Sequence, residues 1–138
     1  MLVVLNVVVI WGQSLMPRFV SSAESGFFQQ LLTPLFEIFV GQGNVTEHLV
    51  RKFAHFAEFF SLGVLSTLLL VLRKGRISAT VICAPVFCVF VAIVDEALQF
   101  ITDRSPEIAD VLLDTLGTLF GFAITLIILL IIQAITKD

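Results

Sequence analysis

Charge is scarce in this chain. Of its 138 residues 14% are Asp, Glu, Lys or Arg, eight basic against eleven acidic, for a formal net charge of −3. That balance excludes the basic stripe a nucleic-acid binder needs. Cysteine is nearly absent too: Cys83 and Cys88 are the only two, five residues apart in one apolar run. On a helix that spacing sets them about 140° apart. They can neither bridge each other nor form a useful metal pair, and they read as buried small hydrophobes. There is no internal repeat and no low-complexity tail. The opening MLVVLNVVVIWGQSL lacks a basic head and an A-x-A cleavage site, which argues against a signal peptide.

What is abundant is oil. The chain is 58% hydrophobic with a mean hydropathy of +1.05, well above the apolar share of soluble domains. A membrane span needs about 20 apolar residues, so the length allows roughly four spans in one domain. The expectation is an all-α polytopic membrane bundle with spans near 2–17, 48–72, 77–101 and 109–134. PRFVSSAESG, polar and serine-rich, reads as a loop. Residues 26–40 place Phe27, Phe28, Leu31, Leu32, Leu35, Phe36 and Phe39 at helical spacing. Gln29, Gln30, Glu37 and Pro34 interrupt that stretch, so it is expected to be interfacial or re-entrant. GQGN reads as a turn, with Asn44 and Glu47 as a capping box opening a helix near Val45. RKGR at 73–76 is the densest basic loop and belongs in the cytoplasm, which sets both termini inside and the 17–50 segment outside.

The ionisable residues of the spans fall at one depth. His55 and Glu58 lie near the start of the second span, Asp95, Glu96 and Gln99 near the end of the third, and Asp110 and Asp114 near the start of the fourth. At about 1.5 Å per residue these share a layer near the outer face. Arg51, His55, Glu58 and Leu62 occupy one arc of their helix. Asp95 and Gln99 share a stripe with Cys88 and Ala92, while Glu96 is turned about 100° from Asp95. Asp110, Asp114, Gly117 and Gly121 form another stripe, and the GxxxG pair within it suits close helix packing. Ionisable groups inside a membrane mark a site or pathway and need partners, for which Arg51, Lys52 and Arg104 are available. Asp103, Glu107, Glu47 and His48 read as loop or cap residues.

These blocks resemble the VanZ family of small bacterial membrane proteins. RKFAHFAEFFSLGVL is similar to its R-K-x-x-H-F-x-E-[YF]-x-x-L-G pattern at Arg51, Lys52, His55, Phe56, Glu58, Phe59, Leu62 and Gly63. VDEALQFITDRSPEIADVLLDTLGTLFG is similar to its second pattern at Asp95, Glu96, Gln99, Arg104, Asp110, Val111, Asp114, Gly117 and Gly121. QSLMPRFVSSAESG resembles more loosely a serine-containing stretch after the first span. Thr102-Asp103 stands where a Pro-Gly type of turn is expected. The resemblance runs from about residue 12 to 122 and implies a multi-pass protein of the bacterial cytoplasmic membrane. It also implies a link to low-level resistance to teicoplanin, a glycopeptide that acts outside the membrane.

Three readings follow. In the first, Arg51, Lys52, Gln99 and Arg104 hold an anionic envelope lipid or amphiphile, a phosphate-bearing lipid or lipoglycopeptide being the partner. His55, Glu58, Asp95 and Glu96 then serve as acid and base, supported by Asp110 and Asp114. No cofactor is expected. A hard divalent metal on His55, Glu58, Asp95, Asp110 and Asp114 is the lesser alternative, because no HExxH-type pair is present. In the second reading the protein is not an enzyme and limits glycopeptide access at the cell surface, its polar layer being a structural charge network. A transporter, the third, is disfavoured, because deep polar residues are few: Ser66, Thr67 and Thr125.

Overall fold

In a computed structural model, the structure describes residues 1–16, 18–74, 77–102 and 107–136, with side chains outside 18–25 and 73–80. Among these residues the chain forms five helices and no strand. They are α1 (Leu2–Ser14), α2 (Arg18–Val40), α3 (Glu47–Lys74), α4 (Ile77–Ile101) and α5 (Ile108–Ile135). The protein is an all-α membrane bundle. Three segments are long and apolar enough to cross a bilayer: Glu47–Leu72, Val81–Ile101 and Ile108–Ile135. Their outward faces carry bare apolar side chains such as Phe90, Leu116 and Ile127, as a lipid-facing surface requires. The 13 residues of α1 amount to about 20 Å at 1.5 Å per residue, short of the roughly 30 Å hydrocarbon core.

Three local details differ from the expectations. PRFVSSAESG is not a loop, because α2 begins at Arg18 and continues to Val40 with Pro34 inside it. Serine content alone argued for a loop there. After Pro17 nothing in the stretch breaks a helix until Gly26, and proline is well tolerated at a helix start. The helix α3 is capped by Thr46 rather than by Asn44. The Thr46 hydroxyl accepts the Leu49 N–H at 3.2 Å, and its carbonyl accepts the Val50 N–H at 3.1 Å. Asn44 instead donates its side-chain amide to the Val40 carbonyl, closing a turn in which Gly41 and Gly43 take positive φ of 85° and 75°. Of the two cysteines only Cys88 is buried; Cys83, on the opposite side of α4, is exposed.

The centre of the bundle is α3. Its most extensive partner is α5, and α4 packs against both. Glycine makes the α3–α5 approach possible. A Cβ on Gly117 would stand 2.6 Å from the Phe56 carbonyl oxygen. One on Gly121 would collide with the Phe60 carbonyl, and one on Gly63 with that of Thr118. The GxxxG pair of α5 is thus absorbed by packing inside one chain. On another side of α3 a core joins Val3 and Ile10 of α1, Phe59 and Leu62 of α3, and Cys88, Val91 and Ala92 of α4. The indole of Trp11 donates to the Val91 carbonyl at 3.3 Å, and Asn6 donates to Ser61 at 2.8 Å. Meanwhile α2 leans on α3, through a Phe36–Phe53 edge contact and a Gln29 bond to the Val45 carbonyl at 2.7 Å.

Candidate functional site

Four helix ends meet at one end of this bundle: the last turn of α1, the first turns of α3 and α5, and the last turns of α4. The periodicities of the sequence decide which side chains turn inward. Along α4 the four-residue stripe Cys88, Ala92, Asp95 and Gln99 is buried throughout. Along α5 the inward stripe is Asp114, Gly117, Thr118, Gly121 and Thr125. Because glycine draws α5 onto α3, Asp114 is carried against the face of α3 that bears His55.

The result is a histidine between two sequestered carboxylates. Asp95 and Asp114 are both 0% exposed, whereas the His55 side chain is 15% exposed. His55 Nδ1 stands 3.7 Å from Asp114 Oδ1 and 4.0 Å from Asp95 Oδ2. Both separations exceed a hydrogen bond, and each is an ion pair only when the imidazole is protonated. Neither Asp114 oxygen has a hydrogen-bond partner among the described residues.

Asp95 is held from two sides. Ser14 Oγ donates to Asp95 Oδ1 at 2.6 Å, and Gln99 Nε2 donates to Asp95 Oδ2 at 3.3 Å. Gln99 also reaches Glu96 Oε2 at 3.3 Å. Glu96, the residue turned away from the stripe, accepts the backbone N–H of Glu107 just before α5. A carboxylate at a helix N-terminus complements the positive end of the helix dipole. Thr102 closes the α1–α4 contact by donating to the Ser14 carbonyl at 3.1 Å.

Of the expected cations, Lys52 is committed to protein carboxylates. It pairs with Asp110 at 3.0 Å and with Glu107 at 3.7 Å, linking the starts of α3 and α5. Arg51 is half-buried and makes no ion pair among the described residues. Arg104 lies outside the described residues. Glu58, half-buried on α3, offers its carbonyl to Ser61 at 2.7 Å. Thus His55, Asp95 and Asp114 form the centre. Glu96, Gln99, Lys52 and Asp110 surround it.

Two residues in this arrangement had escaped the sequence reading as site members. Ser14 closes an otherwise apolar helix, and a lone serine has no period to reveal its target. The loosely similar QSLMPRF block was its one signal. Glu107, read as a loop or cap residue, touches both Lys52 and Glu96.

A bundle of apolar helices with a histidine–carboxylate cluster buried at one end defines the class: a small integral membrane protein with polar residues sequestered inside its bundle. The chain belongs to the VanZ/LLP1 family, whose model matches residues 1–130, from the start of α1 to near the end of α5. The match extends on both sides of the stretch on which the resemblance first rested. No curated protein and no solved structure matches the chain.

Proposed function

We propose that this VanZ-family protein binds an anionic envelope lipid or amphiphile at the polar end of its bundle. The observation that carries this reading is Arg51, half-buried on the same face of α3 four residues before His55 and in no ion pair among the described residues. Fully sequestered carboxylates in a membrane bundle are costly and are kept where a site uses them. Arg51 supplies the planar donor set that matches a phosphate headgroup. His55 with Asp95 offers an acid and a base at the same end of the bundle, with Glu58 and Glu96 as further carboxylates.

Placing RKGR in the cytoplasm puts the polar end at the outer leaflet of the bacterial cytoplasmic membrane. There it would meet phosphate-bearing envelope lipids and lipoglycopeptides such as teicoplanin. That placement agrees with the resistance role implied by the family resemblance.

A second reading has its own support. The Lys52 ion pairs and the chain of bonds through Ser14, Asp95, Gln99, Glu96 and Glu107 join four helices, which would suit a fastening network. Alanine at His55, Glu58 or Asp95, introduced singly, separates the two. The binding reading expects folded protein at wild-type amounts by gel filtration, with the copurifying anionic lipid removed from solvent extracts. Variants that fail to accumulate favour the network. Folded variants with wild-type lipid content contradict the binding site.

A further inference from the structure

We propose that His55, Asp95 and Asp114 form a site for one divalent transition-metal ion, zinc being the ion their chemistry suits best. Each offers one ligand atom, and the three atoms lie within 4.8 Å of one another. The contacts of His55 Nδ1, 3.7 Å to Asp114 and 4.0 Å to Asp95, are too long for hydrogen bonds and too short to admit a further side chain. Ligands bound to a common ion at about 2.1 Å lie roughly 3.0–4.2 Å apart, depending on the angle between them. The triad therefore needs only a small contraction to close on an ion.

A second observation, independent of the spacing, points the same way. Asp114 is 0% exposed, and neither of its oxygens has a hydrogen-bond partner among the described residues. A carboxylate sequestered so completely is ordinarily satisfied by donors or coordinates a metal. Asp95 already has the outer support that metal-ligating carboxylates use, from the Ser14 hydroxyl at 2.6 Å and the Gln99 amide at 3.3 Å. One imidazole and two carboxylates suit zinc, with manganese or iron next; magnesium and calcium prefer all-oxygen sets. Three protein ligands leave a fourth position open, the pattern of zinc sites that take an exogenous ligand. Two positive charges at this point would also lower the repulsion between an acidic centre and an incoming anion. The proposal stands apart from lipid binding, because metal content is read without reference to bound lipid.

The test is elemental analysis of detergent-purified full-length protein, stripped of metal, incubated with zinc chloride and desalted. About one zinc per chain is expected for wild type and for Glu37→Gln, and less than one tenth of that for His55→Ala and Asp114→Asn. Wild-type protein that retains no stoichiometric zinc, manganese or iron overturns the proposal. So do folded His55→Ala and Asp114→Asn variants that retain a full complement. Where those variants do not fold, X-ray absorption of the zinc-loaded wild type decides. One imidazole with oxygen ligands is expected, and sulfur scattering, which would assign the metal to Cys83 or Cys88, overturns it.

Discussion

Ser14 is where a single atom does most to define the polar centre. Its hydroxyl joins α1 to Asp95 at 2.6 Å in a fully buried position, so its loss leaves a sequestered carboxylate oxygen short of a donor. Ser14→Ala is expected to destabilise the folded protein by about 1–2 kcal/mol, near the top of the range for interhelical hydrogen bonds in membranes because the acceptor is a carboxylate. Thermal unfolding in detergent checks this, and an unchanged midpoint would remove Ser14 from the centre. How far such residues could be read from sequence depends on their periodicity. Asp95, Gln99 and Asp114 lie on four-residue stripes with small residues, so their inward aim followed from helical phase. Ser14 stands alone at a helix end, and its contact with Asp95 spans 81 positions of chain. Only tertiary structure shows it.

At the scale of elements, the glycines of α3 and α5 determine where the polar side chains meet. Gly63, Gly117 and Gly121 each face backbone of the opposing helix with no room for a Cβ, whereas Gly12 and Gly26 face open space. Gly121→Val is therefore expected to push α5 off α3 and sharply reduce the yield of monodisperse protein in gel filtration. Gly12→Ala is expected to leave that yield unchanged. Equal behaviour of the two variants would contradict the close approach. Thr46→Ala removes the cap of α3 and is expected to lower stability by about 1 kcal/mol, while Asn44→Ala leaves the Thr46 cap in place. Their melting midpoints give the comparison. Here the sequence was partly legible: GxxxG announced a packing face, but its partner Gly63 sits on another helix and belongs to no GxxxG pair. The length of α2 was hidden because serine-rich composition is compatible with loop and helix alike. Packing against α3 through Phe36 and Gln29 favours the helix.

For the whole molecule, apolar composition was enough to read the membrane class and the bundle, since no soluble core would hide so many hydrophobes. Sidedness rests on the basic RKGR stretch at 73–76, of which 75 and 76 lie outside the described residues, and is open to direct test. In a Cys83→Ser, Cys88→Ala background, a membrane-impermeant maleimide is expected to label Gln42→Cys in intact spheroplasts and to spare Gly75→Cys. The reverse pattern would turn the polar end to the cytoplasm. Binding of an anionic amphiphile at the polar end of the bundle, beside Arg51, is read by ligand-linked stability. Anything that binds only the folded state raises the melting midpoint with concentration. Phosphatidylglycerol added to wild-type protein in detergent is expected to raise that midpoint, and phosphatidylcholine is not. The phosphatidylglycerol shift should be lost in Arg51→Ala and His55→Ala. Equal shifts from the two lipids, or a full phosphatidylglycerol shift in both variants, would contradict the account.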